Sequence, residues 1–572
     1  MSHSKIKVLF HSNHSKFCTG FGKNMRNILL SLYEDEEIEV YEAANGIRYD
    51  TDIKTPWKCY GTYPSDLNIL KQIHGNAFKK RAAGYGYYSI DKIIDEVKPD
   101  VYVGIEDIWA FKNFENKDWW NKTKKIIWTT IDSLPILSEA VDMYNSCDKT
   151  LVWASFAEKE MKRIGCQKVE TLHGAINYES FKPIKKRKKL RNKFGLSDNF
   201  VIGFVFKNQL RKSVPNLLEG FKLFKQQNPN SKGKLLLHTG WEKDGRNWDI
   251  ESYIKEKSID KSDILCTYHC QNCLEYKISE YKGEETDCNL CGATKSLKTK
   301  SSTKGVSEKQ LNEIYNLMDV YCHPFTSGGQ ELPIQEAKSA GLITLVTDYS
   351  CGEDSAYEHQ GGLPLSWSEY REPSTQFIKA STCPKSISDN LKKVFLMGEE
   401  EKQKIIKNGR TNIKENFSTP TTITRLKKII LDTKKLKTKK SEKKNESSKE
   451  NNQTKIEDLL GDEGPKNRIL VTMPESAGDV LMINSLIENI KETYPDKNIY
   501  VSTKNEYHSI INDNPFVYKI IPYSTKFDDS LFLEGTGKES GFFEIAFLAH
   551  IPTQRKIQYV HNGSDKIQFF KK

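Results

Sequence analysis

The sequence predicts an α/β protein of two Rossmann-like domains, with a zinc ribbon inserted in the second and a third Rossmann-like module after them. Three observations carry that prediction. Short β-branched runs alternate with amphipathic helical stretches, which is the pattern of a parallel, doubly wound sheet. Two C-x-x-C pairs interrupt the second αβ run. A polar stretch rich in Lys, Glu and Ser then precedes a fresh αβ start.

At 572 residues the chain is too long for one hydrophobic core, so three or four domains are expected. With 37% hydrophobic and 11% aromatic residues it is not a disordered chain. The net charge of +11 invites a nucleic-acid or membrane reading, but much of the Lys excess lies in Lys182–Lys193 and Lys434–Lys444, which read as solvated linkers. The start runs directly into a short apolar strand without a signal-like apolar region, and nothing downstream reaches membrane-spanning length. Of twelve cysteines, Cys18, Cys59, Cys147, Cys166, Cys266, Cys322, Cys351 and Cys383 are scattered and four form the tight pairs. This is the pattern of a reduced, cytoplasmic protein with one metal site.

The first domain is placed at 1–182. Lys7–Phe10 is its opening strand, followed by a Gly-containing turn and a helix over Lys23–Tyr33. Asp100–Gly104, Lys125–Thr129 and Thr150–Trp153 are further buried strands, and the helix after Ala154 ends at Gly165. The second domain, 183–432, begins after a basic linker and carries strands Phe200–Phe206, Lys234–His238, Val320–His323 and Leu342–Thr347. Residues 433–466 have too few apolar side chains to offset their ordering entropy and read as a flexible tether. Residues 467–572 read as one βαβ unit, with strands Arg468–Thr472 and Asn498–Val501.

The insertion, 264–304, holds Cys270-Gln-Asn-Cys273 and Cys288-Asn-Leu-Cys291. Two thiolates from each knuckle can close a tetrahedral shell around Zn²⁺, leaving no position for water, so the metal's role is structural. Gly292 suits the second knuckle turn. Cys266 and His269 are near enough to replace one of the four ligands. A redox pair would not need two matched knuckles. The loop Lys295–Lys304 is basic but has no aromatic side chain for base stacking, which weakens a nucleic-acid role.

Three stretches could hold a phosphorylated ligand. Cys18-Thr-Gly-Phe-Gly22 joins the first strand to its helix, where Gly20 and Gly22 would let backbone amides approach an anion. The same turn needs no ligand to be explained. Lys207, Arg211 and Lys212 follow the first strand of the second domain, at the edge where open αβ sheets bind ligands. Arg offers a planar fork for phosphate oxygens and Lys a compact charge, although a solvated basic turn reads equally well. Finally, Gly328-Gly329 expose backbone, Pro333 opens a helix that stops at Gly341, and Glu331 and Glu336 flank the helix start. Such a carboxylate is often only a dipole partner, yet it can also accept hydrogen bonds from sugar or ribose hydroxyls.

These residues resemble the GT-B-fold retaining glycosyltransferases of family 4. Val152-Trp-Ala-Ser-Phe-Ala-Glu158, His173-Gly-Ala-Ile-Asn177 and Phe181-Lys-Pro183 match the phrase that closes the first domain there. The Lys207 to Lys212 spacing matches the family's basic pair for the donor diphosphate, and Leu332-Pro-Ile-Gln-Glu-Ala337 matches its sugar-nucleotide helix. The resemblance spans roughly residues 5–430 apart from the insertion. It implies a nucleotide-sugar donor, transfer with retention, and no metal at the diphosphate. It assigns Lys207, Arg211 and Lys212 to the departing diphosphate, Glu336 to the ribose, and Gly20 to Gly22 to the facing wall of the cleft. The family has two glutamates with seven residues between them; the second corresponds to Glu336, and the first position is occupied by Gly328. Either Glu331 substitutes by reaching around the loop, or the Gly328 and Gly329 amides hold the sugar.

The segment Glu475-Ser-Ala-Gly-Asp-Val480 resembles the first half of the heptosyltransferase-like family 9 enzymes, whose early Gly-Asp pair matches Gly478-Asp479. That resemblance implies a part for Asp479 in acceptor activation. About a hundred residues supply only one such domain, so a docking or acceptor-presenting module, completed by a partner chain, fits better than a second active site. Two rival readings of the whole chain stand beside the enzyme: a glycan- or partner-binding protein on a degenerate glycosyltransferase fold, and a glycosyltransferase acting on nucleic acid.

Overall fold

The computed structural model describes residues 5–17, 19–242, 245, 247–299, 305–373, 375–433, 460, 467–524, 527 and 541–550. Cys18, most of the 433–466 tether with Lys434–Lys444, the end of the Lys295–Lys304 loop and the last stretch of the C-terminal module lie outside these residues. The chain divides into two compact units, Met1–Lys439 and Lys440–Lys572. No helix of the described residues is long and apolar enough to cross a membrane.

The first unit contains two large sheets. One is wholly parallel and ordered β3-β2-β1-β4-β5-β6-β7, from β1 (Ile6–Asn13), β2 (Ile38–Arg48), β3 (Lys58–Tyr63), β4 (Val101–Ile105), β5 (Lys124–Thr129), β6 (Lys149–Val152) and β7 (Val169–Thr171). The order reverses between β1 and β4, which is where doubly wound sheets open a crevice at their carboxyl ends. Short apolar runs such as Val101–Ile105 are buried on both faces, as strands covered by helices must be. β2 and β3 were not legible in the sequence, because Glu42, Asn45 and the polar ends of β3 break the apolar run. Glu42 is nevertheless fully buried and takes hydrogen bonds from the Ser15 amide, Ser15 Oγ and Trp57 Nε1.

The second sheet begins with β8 (Val201–Val205), β9 (Lys234–His238) and β10 (Ile264–Cys270). It continues through the insertion as β11 (Tyr276–Ser279), β12 (Glu285–Thr286) and β13 (Leu297–Lys298), then through β14 (Val320–His323), β15 (Ile343–Thr347) and β16 (Gly362–Leu365). The order is β12-β13-β10-β9-β8-β14-β15-β16, with β11 also paired to β10. The insertion therefore does not stand apart. Ile264–Cys266 pair in parallel with β9, and the same strand runs on to carry Cys270, the first of the four paired cysteines.

The basic stretch read as a linker needs correction. Arg187–Lys193 is a helix, and Arg187 and Arg191 bind Asp319 at 2.7 and 3.1 Å while also capping carbonyls at the end of the helix Glu308–Leu317. Its charge is thus partly structural. The helix Gly20–Leu32 starts earlier than Lys23, at a Thr19 cap whose side chain accepts from the Gly22 amide.

The second unit, expected as one βαβ unit, is a four-stranded parallel sheet. Its order is β19-β18-β17-β20, from β17 (Arg468–Thr472), β18 (Asn498–Thr503), β19 (Val517–Pro522) and β20 (Ile545–Leu548). Asp479 sits in the first turn of the helix Ala477–Thr493, where its carboxylate accepts from Ser476 Oγ at 2.7 Å. That contact closes the helix start and is sufficient to account for an Asp there.

Candidate active site

The loop after β8 turns back sharply, and its two cations take different environments. Lys212 is buried to 2% exposure, whereas the Arg211 side chain keeps 37% of its surface. Both bind Glu331, the residue before the helix Leu332–Ser339, with Arg211 Nη1 donating to one carboxylate oxygen and Lys212 Nζ to the other. Burial alone would raise the Glu331 carboxyl; the charges of Arg211 and Lys212 overcome it and hold the group well below the usual carboxylate range.

Behind this triad lies a fixed chain of hydrogen bonds. Tyr321 Oη donates to the Val205 carbonyl at 2.9 Å, so it can only accept from His323 Nδ1 at 2.8 Å. That leaves His323 Nε2 as an acceptor, 3.4 Å from Lys212 Nζ. Burial brings the imidazole down to about 4, with the Lys212 charge adding to it, in keeping with the neutral tautomer.

Gly328 explains the unusual position of the glutamate. A Cβ added there would stand 2.8 Å from Glu331 Oε1 and 3.3 Å from Arg211 Nη1. The Glu331 carboxylate thus fills the space into which a side chain at 328 would project. The Gly328 amide is not bare, which corrects one expectation: it donates to Ser350 Oγ at 3.1 Å. Gly329 is pressed against the other domain, with a Cβ position 2.5 Å from Thr130 Cβ and 2.9 Å from Asp132 Oδ1.

The two domains meet closely along this line. Gln330 exchanges two hydrogen bonds with Gly174, at 2.6 and 3.0 Å. Gly20 lies 3.9 Å, measured from a built Cβ, from Leu332. Gly22 has a packing reason for being Gly, since a Cβ would approach the Phe17 carbonyl to 2.5 Å. Glu336 is buried; Tyr315 Oη donates to it at 2.8 Å and Lys23 Nζ lies 3.5 Å away. Lys207 stands apart from the triad, exposed at the rim of a cavity beside β9.

Several groups at this junction were missed by sequence reasoning. Lys379 Nζ donates to Ser133 Oγ and Ser327 Oγ, both at 2.8 Å, bridging the domains. Asp107 and Asp132, at the carboxyl ends of β4 and β5, face the Arg211 side: Asp107 accepts from Thr130 Oγ1 and lies within electrostatic reach of Arg211 and Asp132. Single acids after strands carry no spacing signal. Only their position after successive parallel strands could have marked them.

Glu106, next to Asp107, is 2% exposed and has its carboxyl raised to about 8, by burial first and by the Asp107 charge as well. Between the ordinary value of 4.5 and 8 the folded protein keeps a proton that the unfolded chain releases. Stability therefore falls as pH rises through that window. Glu106→Gln should match the wild type in thermal unfolding at pH 5 and exceed it at pH 8.5; equal midpoints at both pH values would show that Glu106 titrates normally.

The four cysteines Cys270, Cys273, Cys288 and Cys291 come together with all their sulfur atoms within 4.8 Å of one another. Cys270 and Cys291 are 3.7 Å apart, and Cys273 and Cys288 3.9 Å. Tetrahedral zinc–thiolate bonds of about 2.3 Å require sulfur separations of about 3.8 Å, whereas a disulfide requires about 2.05 Å. The two knuckles also repeat one backbone geometry. Amides of Leu274 and Gly292 donate to the carbonyls of Cys270 and Cys288, and both residues have positive φ, 61° and 73°. Amides of Asn272 and Cys273 point at Cys270 Sγ, both at 3.4 Å. The donor set fits zinc, and zinc there would tie two chain segments together. Cys266 is buried in β10 and His269 faces the Leu274 carbonyl, so neither joins the group of four.

No protein-family model matches the chain, and no curated protein matches it. Solved structures do share its fold. Anabaena HepE in complex with UDP superposes with a TM-score of 0.51 at 11% identity, covering 75% of this chain and 100% of that one. Sucrose-phosphate synthase from Thermosynechococcus elongatus gives 0.51 at 11% identity, covering 74% and 98%. A glycosyltransferase from Rickettsia africae gives 0.51 at 13% identity, covering 76% and 100%. At such identities the likeness is one of architecture: the chain has the GT-B fold, two Rossmann-like domains that meet where Gly329 and Gln330 approach Thr130, Asp132 and Gly174.

Proposed function

We propose that the chain is a glycosyltransferase that takes its sugar from a nucleotide-sugar donor and transfers it with retention of configuration, in the manner of the family 4 enzymes. The observation that carries this reading is the Arg211–Lys212–Glu331 triad: a pair of cations, one half-exposed, fixed at the carboxyl end of β8 where the two domains meet. UDP in the HepE structure, which has the same fold, supports a nucleoside diphosphate as the bound group. As the sugar leaves, negative charge grows on the diphosphate, and a cation already held in place stabilises that charge without reorganising. In this reading Arg211 faces the diphosphate, Glu331 replaces the missing first glutamate by holding both cations, and Lys212 serves as the buried member of the pair. Lys207 supplies further charge from the rim, Glu336 accepts from the ribose, and the Gly20–Gly22 turn with Gly328 and Gly329 lines the cleft. Closure of the domains excludes water and so suppresses hydrolysis of the donor. The cysteine insertion holds structural zinc and takes no part in the reaction. The C-terminal module presents the acceptor or docks a partner.

Incubation with a panel of UDP-, GDP- and ADP-sugars should release nucleoside diphosphate from one donor class, through slow hydrolysis or transfer to a supplied acceptor. A protein that binds a nucleotide sugar and never turns it over is instead the non-catalytic binder. Turnover that appears only with duplex DNA present would move the acceptor to nucleic acid.

A further inference from the structure

A cavity of about 350 Å³ lies at the carboxyl ends of β8 and β9 and against β10. Lys207, His238, Thr239 and Thr267 come from the Rossmann-like sheet, while Lys298 and Thr299 come from the cysteine insertion. Thr239 and Thr267 are 5% and 3% exposed, and their hydroxyls, with His238 Nδ1, are buried without a hydrogen-bond partner among the described residues. Buried polar atoms are costly to leave unpaired, and three of them on one cavity mark a surface shaped for a polar ligand. Lys23 links His238 of this cavity electrostatically to the Glu336 carboxylate. Lys23 lies 3.5 Å from that carboxylate, and its charge acts on His238, which is lowered to about 4 by burial first and then by Lys23 and His269.

The insertion's wall is one residue away from the metal knuckle. Cys270 pairs with Leu297 and His269 with Lys298, so the strand pair that carries a ligand also carries the lining. Ser296 binds Cys270 Sγ through its hydroxyl at 3.3 Å and the Gln271 amide through its carbonyl at 2.8 Å. On the far side Trp241, directly after the β9 loop, stacks on Tyr281 of the insertion at 4.3 Å. A shift of the knuckles must therefore move Lys298 and Thr299.

We propose that this cavity receives the nucleoside end of the donor and that the metal-bearing insertion fixes its width, so that metal loading sets nucleotide affinity from outside the reacting centre. The inference rests on the nucleotide-sugar reading above. It makes the insertion a regulatory wall of the donor site rather than a separate ribbon. Loss of zinc would loosen the β10–β13 pair, unseat Lys298 and Thr299, and weaken contacts to base and ribose, while the diphosphate contacts at Arg211 remain.

Calorimetric binding of UDP, GDP, ADP and inorganic pyrophosphate to the full chain, zinc-loaded and chelator-stripped, tests this. The nucleoside diphosphate that binds the loaded protein should lose about tenfold in affinity on stripping, as expected for lost hydrogen bonds. Pyrophosphate, which reaches only the cations, should bind both forms alike. Thr267→Val and Lys298→Ala, each verified to retain its zinc, should weaken the nucleoside diphosphate and not pyrophosphate; they decide the matter if stripping unfolds the chain. Unchanged nucleoside diphosphate affinity in the stripped protein or, where it unfolds, in both variants overturns the proposal, as does purified protein that holds no metal. Failure of the loaded protein to bind any nucleoside diphosphate overturns the nucleotide-sugar reading itself, and this inference with it.

Discussion

Glu331→Ala should cost the protein about 3–5 kcal/mol of stability, the range for removing one partner of a buried ion pair. The Glu331 and Lys212 side chains are 5% and 3% exposed, so alanine leaves Lys212 buried without its carboxylate partner, beside His323 and the like charge of Arg211. In thermal unfolding the loss corresponds to roughly 6–20 °C. The double variant Glu331→Ala/Lys212→Met should recover much of it, because the uncompensated charge goes with the lysine. An unfolding midpoint for Glu331→Ala equal to that of the wild type would show that the triad is solvated in solution and anchors nothing.

The same triad shows what could and could not be read in advance. The cations after β8 and the helix at Leu332 were legible, because a strand followed by a basic turn, and Pro at a helix start, are local signals. The pairing of Glu331 was not. Glutamates at 331 and 336 violate the usual spacing, and only the backbone path reveals that Gly328 clears room for the Glu331 carboxylate. The knuckles were legible from spacing alone, yet their fusion to β10 was not, since a strand shared by sheet and insertion has no boundary in sequence. The basic run at Arg187–Lys193 misled for the opposite reason. Its composition reads as solvated, but Asp319, more than a hundred residues away, turns two of its arginines into helix-capping staples. Lys379, Asp107 and Asp132 had no local signature and emerge only where the two domains meet.

Arg211→Gln should reduce turnover by 10²–10³-fold, the effect of removing one preorganised donor from a developing anion. Its effect on unfolding should be small, because 37% of the side chain is already exposed and Lys212 still neutralises Glu331. Charge reversal is a poorer test here: a carboxylate at 211 would be forced against Glu331, and instability would mask chemistry. Since the guanidinium is aimed at charge that grows as the sugar departs, the loss should fall on kcat more than on KM for the donor found in the panel. Arg211→Lys keeps a charge but loses the fork and should recover only part of the rate. Undiminished kcat/KM in Arg211→Gln would remove this residue from the reaction. The triad would then be a structural clamp, and the diphosphate would have to be sought at Lys207 or Lys379.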